Sequence, residues 1–153
     1  RIFCTITSSR KPSSFFIAAP RLSTPNAHIR CSGGTDSDGT VPRARGTFAR
    51  DDHSFTGFGR AFTSDEGHFE FWTRNPGSVN GEAPFFAVIV FARGLPDKLH
   101  TRIYLPEDTA ALAADPLLSS LTSEERATLV ATRTPDGYLT HDISVQGTVF
   151  IAY

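Results

Sequence analysis

The residues to test first for chemistry are the histidines, His28, His53, His68, His100 and His141. Two imidazoles share a metal readily at HxH on a strand or HxxxH on a helix, because those separations put both on one face. No two of these histidines stand at such spacing, so each reads as structural or solvent-facing. "RDDHS" (Arg50 to Ser54) groups two carboxylates with an imidazole and could form an acid–base pair. Asp and Ser in a loop also satisfy turn hydrogen bonds, and that is the reading adopted. "GTDSDG" (Gly34 to Gly39) has the acidic look of a calcium loop but lacks its spacing and closing bidentate Glu, so it reads as a turn. "TGFGRAF" contains GxG without a third glycine or a following helix, and there is no GxSxG elbow or phosphate-binding loop. Arg93 stands apart. It ends an apolar run beside Gly94, where a guanidinium could reach over a sheet edge and grip a carboxylate with two hydrogen bonds.

Composition narrows the classes further. Cys4 and Cys31 are the only cysteines, too few for a four-thiolate zinc site or a disulfide framework, and free thiols fit a reducing cytoplasm. A net charge of −1 gives no field that would draw the chain to nucleic acid or a membrane. No apolar run approaches the roughly 20 residues that span a bilayer, so a soluble protein is expected. A length of 153 residues suits one domain, with a core drawn mainly from thirteen Phe together with Val, Ile and Leu.

The elements that must position Arg93 and its neighbours are mostly strands. Arg1 to Gly34 carries five basic residues and no acid, and it predicts coil with at most one short strand at "SFFIAA". Its Arg- and Ser-rich composition is also that of a transit peptide, although no amphipathic face can be drawn. The ordered domain is expected over residues 35–153. "GRAFTSDEGHFEFWTR" predicts a hairpin, with Gly67 free to take a positive φ and Phe69 and Phe71 on one face. "FFAVIVFA" (Phe85 to Ala92) predicts a buried strand, since eight apolar residues rich in β-branched and aromatic types are too few for a core helix. "LHTRIYL" alternates Leu99, Thr101, Ile103 and Leu105 against His100, Arg102 and Tyr104, and pairs with it through "RGLPDK". Helix is expected only around 107–130, first in "EDTAALAADP" up to Pro116 and then in "TSEERATLV". There Thr122 and Glu125 have capping-box spacing. The fold class is mainly β, a β-sandwich with a short helical insertion.

Taken in order, "SFTGFGRAFTSDEGHFEFWTRNPGSV", "APFFAVIVFARGL", "KLHTRIYLPED" and "HDISVQG" resemble the intradiol ring-cleavage dioxygenases, and most nearly the alpha subunits of the protocatechuate-cleaving members. The resemblance runs from about Thr35 to Phe150. It implies a β-sandwich, and an active site at the contact with a beta subunit whose two Tyr and two His bind Fe(III). Protocatechuate and O2 are the implied substrates and 3-carboxy-cis,cis-muconate the implied product. Arg1 to Gly34 has nothing matching the "GPY"-like opening of such alpha subunits, and with no Met in the chain its natural start is left open.

Carried over position by position, the ligand motifs meet hydrocarbon. The first Tyr, in a "GRY" pattern, meets Phe48 of "GTF"; the second, in "KPGPY", meets Val79 of "NPGSV". The two His of "PAHIH" meet Phe85 and Ala87 of "APFFA". The resemblance therefore implies a chain that binds no metal, is inactive alone, and contributes to ring cleavage beside an iron-bearing beta partner, with Arg93 reaching the substrate carboxylate. The alternative from another class is a metal-free β-sandwich binding module, or a truncated inactive family member.

Overall fold

A computed structural model describes residues 15–21, 28–32, 39, 57–64, 67–92, 95–145 and 147–151. Among the described residues eight strands follow in order as β1 (Phe15–Arg21), β2 (His28–Ser32), β3 (Phe58–Phe62), β4 (His68–Thr73), β5 (Phe85–Phe91), β6 (Leu99–Tyr104), β7 (Thr132–Arg133) and β8 (Leu139–Thr140). They form two four-stranded sheets, ordered β4-β1-β8-β7 and β3-β2-β5-β6. The pairs are antiparallel except β1 with β8, which meet in parallel at Ile17 and Leu139.

Alternation decides what lies between the sheets. Phe86, Val88 and Val90 of β5, Ile103 of β6, Ala61 of β3, Phe69 and Phe71 of β4 and Leu139 of β8 point inward and form one buried cluster with Ile143. Each large side chain in it contributes on the order of 1.5–3 kcal/mol by leaving water. Phe69 and Phe71 meet edge to face, with centroids 5.8 Å apart. Gly67 takes the expected positive φ, 84°, but the expected hairpin does not form: β3 and β4 are not paired with each other and belong to different sheets, so the chain crosses from one sheet to the other between them. There the Gly67 N–H donates to the Ser64 carbonyl.

Two further expectations need correction. The run "FFAVIVFA" is not buried on both faces: Phe85, Ala87, Ile89 and Phe91 are only half-buried, because the outer face of β5 is partly open. The stretch before Gly34 holds two strands and not one at most. β2 lies between β3 and β5 and pairs with both, Ile29 opposite Ala61 on one side and Val90 on the other.

The insertion holds α1 (Thr109–Ala114), α2 (Pro116–Ser120) and α3 (Ser123–Ala127). Pro116 does not merely end a helix; it occupies the first turn of α2, where its missing N–H costs nothing. The capping box of α3 is complete: the Thr122 N–H donates to Glu125 Oε2 at 2.9 Å, and the Glu125 N–H donates to Thr122 Oγ1 at 3.3 Å. The backbone and hydroxyl donors of Thr122 hold the Glu125 carboxyl below its usual range. Among the described residues no helix is long and apolar enough to cross a membrane.

Candidate functional site: a donor-less centre on the outer sheet face

The outer face of β5 and β6 is where Phe85 and Ala87 stand, and register sets their neighbours. Phe85 lies opposite Tyr104 and Ala87 opposite Arg102. A methyl at 87 leaves the facing guanidinium room to cross the strands. Arg102 uses it: its guanidinium carbon sits 4.0 Å from the centroid of the Phe85 ring. The electron-rich face of an aromatic ring attracts such a cation. Arg102 Nη1 also donates to the Tyr104 hydroxyl at 3.1 Å and lies 3.3 Å from Glu82 Oε1.

A tight turn brings Glu82 into reach. The Glu82 N–H donates to the Val79 carbonyl at 2.9 Å, with Asn80 at φ 52° and Gly81 at φ 79° between them. Positive φ at both central positions is the Asn-Gly signature of a hairpin turn that matches strand twist. Val79 is thus the first residue of this turn, half-buried and aliphatic. Gly39, at φ 77°, approaches the same segment so closely that a Cβ there would collide with the Ser78 carbonyl oxygen.

Beneath Arg102 the polar chain runs inward. The Tyr104 hydroxyl donates to Asp115 Oδ1 at 3.2 Å, and Asp115 Oδ2 accepts from the Ala83 N–H at 3.0 Å. Oδ1 also accepts from the N–H groups of Leu117 and Leu118, each at 3.0 Å, so the same carboxylate caps α2. Asp115 is fully buried, and four donors meet its two oxygens. Burial pushes the Tyr104 phenol up to about 12; Arg102 opposes that rise, while the charge and hydrogen bond of Asp115 add to it. The phenol stays protonated near neutrality and donates. The network can hold strands and helices together; it offers no base.

Fe(III) favours hard phenolate and carboxylate oxygens and imidazole nitrogens. Val79, Phe85 and Ala87 carry no donor atom, and the cation beside Phe85 would repel another. These residues do not fit the metal, and the neighbouring oxygens of Glu82 and Tyr104 are already engaged by the Arg102 cation. Among the described residues no three or more His, Cys, Asp or Glu side chains gather closely enough to hold one. Phe48 and Arg93 lie outside the described residues, as do His53 and all of "RDDHS".

His100 stands on the same outer face as Arg102, opposite Ile89, whereas His68 on β4 and His141 just after β8 belong with the other sheet. His68 is half-buried on β4 and His100 half-buried on β6. His141 is buried after β8, bonded to the Val130 backbone, with no hydrogen-bond partner at Nε2. Burial holds its pKa below the ordinary imidazole value, against the raising effects of Asp142 and that bond. A cleft of about 330 Å³ opens at the far end of β5, lined by Phe91, Ala92, Leu95, Pro96, Asp97 and Lys98. Sequence reasoning did not single out Arg102, Glu82 or Asp115. The usable signal was Asp115-Pro116, a capping residue followed by proline at the first helical position.

No protein-family model matches the chain. It is 40% identical over 101 residues to the protocatechuate 3,4-dioxygenase alpha chain of Burkholderia cepacia, covering 64% of this chain and 50% of that one. It is 36% identical over 115 residues to the protein of the same name from Pseudomonas putida, covering 67% and 57%. The chain thus spans about half the length of the curated relatives it matches. The fold is similar to the dioxygenase domain of a dioxygenase carbohydrate-binding protein fusion from Streptomyces sp. SirexAA-E, with TM-score 0.67 and 21% identity, over 95% of this chain and 86% of that one. An intradiol ring-cleavage dioxygenase from Tetranychus urticae superposes with TM-score 0.59 and 16% identity, over 98% and 85%.

Proposed function

We propose that this chain belongs to the intradiol ring-cleavage dioxygenases and serves as the alpha-type subunit of a protocatechuate 3,4-dioxygenase, a reading supported by its 36% and 40% identity to two alpha chains of that name. The observation that carries this reading is the outer face of β5: a family scaffold whose expected ligand positions 79, 85 and 87 hold only hydrocarbon, with Arg102 over Phe85. Catalytic metal then belongs to a neighbour. A beta subunit bearing Fe(III) is the proposed partner, and protocatechuate with O2 the proposed substrates of the pair. Likeness to chains named alpha supports a partner; the hydrocarbon at these positions supports its holding the iron.

Arg93 is the proposed contact to the protocatechuate carboxylate. It falls between Ala92 and Leu95, which both line the cleft at the end of β5. A charge-assisted pair of hydrogen bonds there contributes about 1.5–3 kcal/mol. The test is co-expression with a ligand-bearing beta subunit. Active, iron-containing complex should co-purify with this chain, and Arg93→Ala should raise KM while iron content stays fixed. A chain that always elutes alone would favour the binding module or truncated member, and unaltered kinetics in Arg93→Ala would remove that residue from the pocket.

A further inference from the structure

We propose that the Arg102 guanidinium is the resident cation of the donor-less centre, filling the space in front of Phe85 and Ala87 and excluding metal ions from it. The idea rests on placing Phe85 and Ala87 at ligand positions; it does not rest on assembly with a partner. Loss of ligands alone would leave an apolar depression. The structure shows more than that: a permanent positive charge, held by electron-rich groups on several sides. The Phe85 ring lies 4.0 Å below the guanidinium, the Tyr104 oxygen 3.1 Å from Nη1 and a Glu82 oxygen 3.3 Å from the same nitrogen.

The arrangement is enclosed as well as charged. Only 15% of the Arg102 side chain remains exposed, so water screens the charge poorly. A guanidinium cannot shed its proton at any ordinary pH, so the charge is fixed. Cross-strand register holds it: Arg102 faces Ala87 and its neighbour Tyr104 faces Phe85. Any metal approaching imidazoles restored at 85 and 87 would meet this cation within a few ångströms. Restoring the donors should therefore fail to restore metal binding until Arg102 is neutralised.

The test uses the full chain carrying Phe85→His and Ala87→His, which puts two imidazoles on one strand face. Co(II) is titrated in, with visible absorption and calorimetry as readouts. With Arg102 in place the doubly substituted chain should bind Co(II) no better than the unsubstituted chain. Adding Arg102→Gln, which keeps hydrogen-bonding capacity without charge, should tighten binding by at least about tenfold. Arg102→Lys in the same background should restore the exclusion. Equal Co(II) affinity with and without the charge, whether strong or absent, overturns the proposal. Should the double substitution fail to fold, Phe85→His alone gives a second reading by NMR titration. The introduced imidazole should titrate at lower pH beside Arg102 than beside Arg102→Gln, and equal titration overturns the proposal. Failure to co-purify with a beta subunit would sink the subunit assignment yet leave both measurements standing.

Discussion

Two packed regions meet at β6, and different forces hold them. Between the sheets, Phe69, Phe71, Phe86, Val88, Ile103 and Leu139 exclude water by hydrocarbon alone. Under the helical insertion, a smaller cluster of Ala83, Tyr104, Leu118 and Leu129 surrounds one carboxylate, that of Asp115. The first region spreads its stability over many side chains. The second concentrates it in one residue that joins the start of β5, the end of β6 and the cap of α2. Apolar packing tolerates gradual erosion, whereas a buried polar hub fails when any member leaves donors without acceptors.

The sharpest way to break that contrast is Asp115→Ala. It strands two buried N–H groups, the half-buried one of Leu117 and the Tyr104 hydroxyl, and should cost about 4 kcal/mol in chemical denaturation. A loss below about 1 kcal/mol would show that the hub carries little. In the sandwich, Leu139→Ala should cost about 3 kcal/mol as a transfer and cavity effect. That loss should add to Asp115→Ala if the two regions are independent, and the double variant measures it.

The regions should also loosen at opposite ends of the pH scale. Because burial raises the Tyr104 phenol from 10.0 to about 12, the folded chain binds more protons than the unfolded one between those values. Stability should therefore fall as pH rises through that window, by about 1.4 kcal/mol for each pH unit. Tyr104→Phe should abolish this alkaline slope. His141 works in the other direction. Its folded pKa lies below the unfolded 6.5, so its contribution is present above 6.5 and is lost as pH falls through the folded value. His141→Gln should flatten that acid limb, and an unchanged limb would assign the loss elsewhere. The smallest effect belongs to α3. Thr122→Ala removes the cap acceptor and should cost about 1 kcal/mol without touching either pH slope.

How much of this could be read in advance depended on whether a signal was local. The alternation in "LHTRIYL" placed Thr101 and Ile103 inward correctly, and the Thr122–Glu125 spacing located α3. The hydrocarbon at 79, 85 and 87 was visible as soon as the motifs were set in order. Tyr104 was expected on the side away from the sandwich core, and it is there; the insertion buries it under a second layer. Nothing in a strand pattern announces that a distant Asp will meet its hydroxyl. Arg102 likewise read as one polar residue among alternating ones, because its role comes from what stands across the strand. β2 escaped because "HIRCS" is five residues long and flanked by loop-like composition, too little for periodicity to outweigh.

The placement of β2 bears on how the molecule reaches its native state. β5 and β6 are joined by a short connection and can zip together early, while β2 and β5 lie more than fifty residues apart in the chain, from Cys31 to Val88 at their nearest pair. Contacts of such long range slow folding, since the intervening segment must surrender its freedom before any reward arrives. Until that strand inserts, β3 and β5 each present a row of unpaired backbone groups, an invitation to intermolecular stacking. Expression yield and refolding rate should accordingly be governed by this late insertion rather than by the donor-less face.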